Sequence, residues 1–142
     1  MDIFSLFPRE LSEARIIQRS LQRMIKVKPL NKKPNYVTAV DASFYKDYTI
    51  ASACTYEYDS LTLIEEATFI QKTYFPYIPG FLAFREGPTI IETLKKLKKK
   101  PDVIIFDGHG IAHPCGIGIA SHVGVLLNAS TIGCAKSRLV GD

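Results

Sequence analysis

The chain has 142 residues, 46% of them hydrophobic, which suits one domain with a real core and is short for two. No apolar run approaches the roughly 20 residues that a membrane span needs, and the acidic start MDIFSLFPRE does not fit a signal peptide. The cysteines Cys54, Cys115 and Cys134 are far apart and form no C-x-x-C pair, so neither a disulfide framework nor a zinc ribbon is indicated. We expect a single cytoplasmic domain over residues 1–142 with no membrane partner.

The formal net charge is only +4, but basic residues are unevenly distributed. Five lysines crowd one short stretch: Lys95, Lys96, Lys98, Lys99 and Lys100. Such a patch suits a polyanion such as nucleic acid. The alternative interpretation, a solvated helix face, is the more frequent one for a lysine run taken alone.

The first half of the chain predicts one helix and three strands. Pro8 suits the first position of a helix whose apolar residues Leu11, Ala14, Ile17 and Leu21 keep helical spacing. After a proline-containing loop, residues 36–45, 48–57 and 61–73 have the composition and alternation of strands, with turns between them. These three strands predict an antiparallel meander.

The second half predicts alternating helices and strands. A helix beginning between Leu82 and Thr89 would bury Ile90 and Ile91 and turn its lysines to water. A strand follows from Asp102, then a helix over residues 116–128 and a short strand over residues 131–135. Three antiparallel strands followed by parallel strands, flanked by helices, are typical of a ribonuclease-H-like α/β sheet.

Three acidic residues have meaning within that order. Asp107 follows the apolar strand VIIF, Asp41 lies within a strand that would neighbour it, and Glu86 stands near the start of the lysine-rich helix. Carboxylates that converge from three distant segments repel one another, and Mg²⁺ or Mn²⁺ would remove that repulsion. Each acid also has a structural interpretation: Asp41 paired with a buried lysine, Glu86 as a helix-start charge, and Asp107 as a helix cap.

The segments around these acids resemble the endonuclease V family over nearly the whole chain from Val40 onwards. VDASF carries Asp41, FPYIPGFLAFREGP carries Tyr77 and Glu86, and DGHGIAHP carries Asp107. IASHVG carries His122, and TIGCAKSRLVG carries Lys136. The resemblance implies a magnesium-dependent nuclease of DNA repair that acts at deoxyinosine in DNA or inosine in RNA and cuts on the 3′ side of the lesion.

The resemblance also implies roles for individual residues. Asp41, Glu86 and Asp107 would hold the metal, with Lys136 and His122 near the catalytic centre. PYIPG, with Tyr77, Pro79 and Gly80, would be a wedge inserted at the lesion, and Gly108 and His109 would border the pocket for the extruded base. A monomer is expected for the family.

Physical chemistry agrees with these roles without excluding simpler ones. An aromatic ring between prolines can fill the gap that an extruded base leaves, although a tyrosine in a tight turn can also be a packing residue. Gly108 and Gly110 would let the backbone approach a flat base.

Lys136 could hold a phosphate or orient the attacking water, or be a plain surface lysine. His109 and His113 are four residues apart, but Gly110 and Pro114 argue against the helix that a zinc pair would need.

Two departures from the family pattern bear on activity. Cys115 and Gly116 stand where basic residues usually follow His-Pro, and NASTIG lacks the usual proline before Thr131.

The family continues well beyond LVGD with further helices and another acid of the metal site. We therefore expect a chain that lacks the C-terminal part of the family fold, and whose uncovered surface self-association could hide. A non-cleaving inosine-binding module and an inactive fragment are the alternatives to an active nuclease.

Overall fold

The computed structural model of the protein describes residues 7, 8 and 10–141. Within these residues, three helices and five strands follow one another in the predicted order. They are α1 (Leu11–Gln22), β1 (Tyr36–Tyr45), β2 (Tyr48–Glu57), β3 (Leu63–Lys72), α2 (Leu82–Lys95), β4 (Val103–Phe106), α3 (Ile119–Leu127) and β5 (Thr131–Gly133). The bounds of β1 and β2 coincide with those predicted.

The five strands form one mixed sheet in the order β3-β2-β1-β4-β5. β1 pairs with β2 and β2 with β3 in antiparallel fashion, whereas β1 pairs with β4 and β4 with β5 in parallel. The chain leaves β3 at one edge, forms α2, and returns as β4 beside β1, in the middle of the sheet. The predicted ribonuclease-H-like α/β fold, an antiparallel meander followed by parallel strands, is confirmed.

One face of the sheet is covered by α2 and α3. Every second residue of the central strands points into this layer, and the largest core cluster joins them to both helices. Its sheet residues are Val40, Ala51, Ala53, Ile104 and Phe106, and its helix residues include Ala83, Ile90, Ile91, Ile119, Ala120 and Val123. The small alanines of β2 let α2 lie close to the sheet, where Thr93 donates a hydrogen bond to the Ala51 carbonyl oxygen at 3.4 Å.

A second, aromatic cluster fixes α1 at the end of this helical layer. Phe75, Phe81 and Phe84 are buried together with Ala14 of α1. The helix begins at Leu11 rather than at Pro8, and the buried face that its apolar residues predict also contains Gln18, which is only 3% exposed. A buried amide needs hydrogen-bond partners, so Gln18 has a specific contact to make.

Helix α3 begins at Ile119, three residues later than predicted. Gly116 adopts a left-handed backbone with φ of 70°, and Gly118 is extended, so neither residue continues a helix backwards. The helix ends at Asn128, which is left-handed and whose amide donates to the last-turn carbonyl groups. The shortened helix places its first amide groups against the segment that follows β4.

The opposite face of the sheet, called the open face here, is not covered by any helix of the described residues. By alternation it carries Ala39, Ser52, Ile70 and Ile132, all of them exposed, and Ile70 and Ile132 retain 59% and 53% of their accessible surface. Exposed isoleucines on one face are an apolar surface that a further layer could cover. Among the described residues, none of the helices has the length and apolar character that crossing a membrane requires.

Candidate active site

Asp41 and Asp107 lie side by side on the two central strands. Val40 of β1 and Phe106 of β4 are register partners, and each is followed by one of the two acids. Both acids are exposed, and the Asp41 carboxylate accepts a hydrogen bond from the Ala42 amide at 2.8 Å. The parallel pairing of β1 with β4 therefore brings together two carboxylates that are 66 positions apart in the sequence.

Glu86, from the second turn of α2, lies close to both aspartates. Burial, together with the negative charges of Asp41 and Asp107, raises the pKa of Glu86 to about 7, against a smaller opposing effect of Arg85. Two carboxylates can affect a third in this way only if all three share one neighbourhood. The structure thus brings the three predicted metal ligands to the same end of the sheet.

The donor chemistry of this neighbourhood suits a hard divalent cation. Carboxylate oxygens are the ligands that Mg²⁺ and Mn²⁺ prefer, and a cation would offset the burial and the repulsion that raise the pKa of Glu86. Within the described part of the chain, however, no three acidic, histidine or cysteine side chains are close enough to form a complete metal site. The three acids are neighbours that would have to turn inward to share one ion.

Lys136 reaches the same end of the sheet from the segment after β5. Its Nζ lies 3.9 Å from Oδ2 of Asp107, and its side chain is 91% exposed. A contact at this distance and exposure adds little stability. It does place an exposed positive charge next to Asp107.

The structural roles considered for the three acids, namely a buried ion pair, a helix-start charge and a helix cap, do not match their observed positions. Asp41 is exposed rather than paired with a buried lysine, and Glu86 is the fifth residue of α2, beyond its first turn. Asp107 does not cap a helix, because α3 begins twelve residues later and Gly118 is its N-cap. None of the three acids is placed where helix or core stability requires it.

The loop Gly108–Gly110, which follows Asp107 and is called the DGHG loop here, is held in place by backbone contacts. The carbonyl groups of His109 and Gly110 accept hydrogen bonds from the amides of Ala120 and Gly118, at 3.0 and 2.7 Å. The His109 ring donates from Nε2 to the Ser137 carbonyl oxygen at 3.0 Å. The loop that is predicted to border a base pocket is therefore fixed to α3 and to the segment after β5.

Two glycines outside this loop, Gly118 and Gly133, allow it to lie close to the start of α3 and to β5. A Cβ atom at Gly118 would collide with the His109 carbonyl group, and one at Gly133 would collide with the backbone of the DGHG loop. At Gly108 the nearest neighbour of a Cβ atom would be the Ile119 side chain at 2.6 Å, whereas Gly110 has ordinary space. The sequence predicted Gly118 only as a residue that weakens a helix and predicted no role for Gly133, although both lie in or beside the conspicuous segments.

The PYIPG segment, residues 76–80, projects from the aromatic cluster into solvent. The Tyr77 side chain is 71% exposed and Pro79 is exposed, whereas Phe75 and Phe81 on either side are buried. Gly80 has φ of 88°, a conformation that favours glycine. Tyr77 thus lies on an exposed turn that is held at both ends by the buried residues Phe75 and Phe81. A residue that packs a tight turn would be buried, whereas Tyr77 is exposed.

His122 occupies a different environment from the acids. It is fully buried on α3 and packs edge-on against Phe84 at 4.8 Å and stacked on Phe7 at 5.7 Å between ring centroids. Burial lowers its pKa to about 4, with a smaller contribution from His113. Neither ring nitrogen has a hydrogen-bond partner among the described residues. The predicted place of His122 near the catalytic centre remains a prediction.

The lysine run lies at the other end of α2 from Glu86. Nine residues of helix separate Glu86 from Lys95, which is roughly 13 Å. The Lys96 side chain donates to the Thr68 carbonyl oxygen at 2.7 Å, and the Lys98 and Lys99 amides donate to the Glu65 carboxylate. This run packs against β3 and is separate from the acid cluster.

Known proteins resemble the chain in sequence and in fold. The family model described as Endonuclease V matches residues 19–142. Endonuclease V of Rippkaea orientalis is 46% identical over 136 residues, covering 94% of this chain and 59% of the relative. The crystal structure of endonuclease V from Streptomyces avermitilis has a TM-score of 0.88 at 38% identity, covering 92% of this chain and 59% of that one.

A further solved structure contains nucleic acid. Endonuclease V of Ciona intestinalis, in complex with a 24mer DNA containing an inosine followed by a ribo-adenosine, has a TM-score of 0.83 at 31% identity. The similarity covers 93% of this chain and 59% of that one, so the chain spans about three fifths of the length of these relatives. Together with the fold and the match over residues 19–142, these similarities show that the chain belongs to the endonuclease V family.

Proposed function

We propose that this chain binds inosine-containing nucleic acid and, with Mg²⁺ or Mn²⁺, hydrolyses a phosphodiester bond on the 3′ side of the lesion, in DNA repair. The observation that carries the proposal is the joint placement of Asp41, Asp107 and Glu86, in which burial and the charges of the two aspartates raise the pKa of Glu86. Membership of the endonuclease V family and the inosine-containing DNA bound by the Ciona intestinalis relative support the choice of substrate.

The three carboxylates would hold the metal ion, which when bound would supply positive charge for the phosphate and lower the pKa of a water nucleophile. Glu86 must lose its proton to become a ligand, and the buried position of its carboxyl group makes that loss dependent on a nearby cation. Lys136 would lie beside the scissile phosphate through its contact with Asp107. The products expected are a 3′-hydroxyl and a 5′-phosphate.

Recognition of the lesion would use the two segments next to this cluster. Tyr77, held on its exposed turn, would fill the gap left by the extruded base, with Pro79 and Gly80 fixing the turn. The DGHG loop, with Gly108, His109 and Gly110, would border the base. Hydrogen bonds to the start of α3 already hold its backbone, so the loop would keep its conformation when the base binds. A pocket held in this way loses little conformational freedom on binding.

A second candidate is a module that binds inosine-containing strands without cutting them. The observation that favours it is the incomplete metal site, since no three ligand side chains of the described residues converge closely enough. The PYIPG segment and the DGHG loop do not depend on the metal, so binding would persist without it. The two candidates therefore differ only in cleavage.

The deciding experiment is a nicking assay on a labelled duplex with one deoxyinosine, in Mg²⁺, in Mn²⁺ and in chelator, beside a matched duplex with deoxyguanosine. We expect metal-dependent nicking of the inosine duplex alone, with a 5′-phosphate at the downstream end. Binding of the inosine duplex without nicking in either metal would support the second candidate. Equal affinity for both duplexes would contradict both candidates.

A further inference from the structure

The carbonyl oxygen of Gly80 accepts two hydrogen bonds from distant parts of the chain. Gln18 of α1 donates from Nε2 at 2.8 Å, and the His113 ring donates from Nε2 at 2.9 Å. Gln18 and His113 are 62 and 33 positions from Gly80, and both are buried. One backbone oxygen of the turn is therefore held from two distant parts of the chain.

The orientation of the His113 ring is fixed by its neighbours. The Cys115 amide donates to Nδ1 at 3.0 Å, so Nδ1 carries no hydrogen and Nε2 is the donor to Gly80. The Gly116 amide, in turn, donates to the His113 carbonyl oxygen at 2.8 Å. His113 is therefore set in one tautomer and one direction by the short segment that follows it.

These contacts join the two segments that the proposed function uses for recognition. Gly80 ends the PYIPG segment, three residues after Tyr77, and His113 belongs to DGHGIAHP, four residues after His109. One hydrogen bond thus connects the two segments directly, and Gln18 adds a connection to α1 on the same oxygen. The turn conformation itself is provided by the left-handed backbone of Gly80, whose surroundings would leave space for a side chain.

We propose that His113 and Gln18 are positioning residues that hold the Tyr77 turn at a fixed distance from the DGHG loop. This inference rests on the proposed function, in which the turn is inserted where a base leaves the stack and the loop receives that base. The turn and the loop can act on the same base only if the distance between them matches the distance that the base moves when it leaves the stack. In this role His113 and Gln18 act through the Gly80 carbonyl group.

The test measures the preference for inosine, which is the ratio of affinities for deoxyinosine and deoxyguanosine duplexes, in chelator so that no cleavage occurs. His113→Ala and Gln18→Met each remove one donor, and we expect each to reduce the preference by about tenfold, the value of one buried hydrogen bond. His113→Gln keeps an amide donor at similar reach and should restore most of the preference. Gln22→Met, one helical turn beyond Gln18 and exposed, is the matched control and should leave it unchanged.

A thermodynamic cycle with Tyr77→Ala separates positioning from general stability. If His113 acts through the turn, His113→Ala should lower the preference no further once Tyr77 is absent, whereas independent effects would add. Melting temperatures identify variants that fail to fold, and if His113→Ala is one of them, His113→Gln and Gln18→Met carry the test. An unchanged preference in folded His113→Ala and Gln18→Met, or fully additive losses with Tyr77→Ala, would overturn the inference. A parent chain without any preference would overturn the proposed function and this inference with it.

Discussion

The Asp107 amide donates a hydrogen bond to the Val40 carbonyl oxygen at 3.3 Å, which continues the β1–β4 ladder one step beyond β4 and sets Asp107 beside Asp41. The position of both acids is thus determined by backbone pairing, and their side chains remain exposed. Substituting either carboxyl group should leave the fold intact, so these acids can be tested separately from stability.

Asp41→Asn or Asp107→Asn should abolish nicking, by at least about a hundredfold, while affinity for an inosine strand in chelator stays within about twofold. Each change removes a metal ligand without altering side-chain size, and neither touches the PYIPG segment. Nicking and binding assays on the same duplex check this. Asp47→Asn, in the turn of the same hairpin, is the control. Nicking by either variant at the parent's rate would contradict the metal role.

Glu86 predicts an unusual pH dependence for the metal-free protein. Its pKa of about 7 in the fold exceeds the value near 4.5 expected when unfolded, so its stabilising contribution is complete below pH 4.5 and is lost as pH rises through 7. The loss is up to about 3 kcal/mol, and Glu86→Gln should remove it. Denaturant unfolding in chelator from pH 4 to pH 8 measures both.

Added Mg²⁺ should restore part of this stability at pH 8 in the parent, because an ion that binds only the folded chain stabilises it by mass action. Thermal melting with and without Mg²⁺ checks this. Glu92→Gln, two turns along α2 beside Lys95, is the control for helix effects. Identical Mg²⁺ stabilisation of parent and Glu86→Gln would show that Glu86 is not a ligand.

Tyr77→Ala should weaken binding to an inosine duplex about tenfold and binding to the same single strand much less. A wedge reduces the cost of unstacking, a few kcal/mol, and a single strand has already met most of that cost. Titrations of both substrates in chelator provide the comparison. Tyr58→Ala is the control, since Tyr58 is exposed at the opposite end of the sheet, where its amide pairs with Asn35. Equal losses on both substrates would make Tyr77 a general contact residue.

His122 predicts the opposite pH dependence from Glu86. Its pKa of about 4 in the fold lies below the value near 6.5 of an unfolded histidine, so its contribution is present above pH 6.5 and is lost as pH falls through 4. His122→Leu should flatten the acid side of the stability curve and leave stability at pH 7 unchanged or higher. Unfolding curves at pH 4, 5, 6 and 7 test this. Loss of nicking with unaltered stability would instead support the predicted catalytic place of His122.

Because one face of the sheet is open, we expect an added C-terminal segment to change both the stability and the activity of the chain. Joining the segment of a close relative that this chain does not span should raise the melting temperature and lower the Mg²⁺ concentration needed for nicking. Covering even 200 Å² of apolar surface is worth about 5 kcal/mol at roughly 25 cal/mol per Å². A fusion with the same segment in scrambled order is the control. Equal melting, oligomeric state and nicking of the extended and original chains would show that the open face needs no cover.

Local sequence patterns predicted the elements well because each has a clear period. Burial alternates along β2 and over residues 38–43 of β1, and the predicted bounds of both strands coincide with the observed ones. The start of α3 was wrong by three residues because the backbone conformations of Gly116 and Gly118 are not encoded in hydrophobic spacing. Pairing of β1 with β4 was predicted from fold order, and it brings Asp41 next to Asp107.

The contacts that hold the site depend on long-range geometry that no local pattern contains. Gln18 looked like an ordinary polar residue of an amphipathic helix, and His113 looked like half of a rejected zinc pair. Both donate to one backbone oxygen that is more than 30 positions away. Such a contact leaves no signal in composition or periodicity, because its acceptor is a main-chain atom that every residue has.

The strand order β3-β2-β1-β4-β5 has a consequence for how the molecule assembles. The three antiparallel strands are joined by short turns, so their pairing closes only small loops, whereas β4 reaches β1 after more than 50 intervening residues. Loop-closure entropy favours early formation of the hairpins and late arrival of β4. Asp41 and Asp107 would then meet only near the end of folding. Pulse-labelled hydrogen exchange should protect β2 amides before those of β4, so that a partly folded chain contains the meander but no pair of acids to hold an ion.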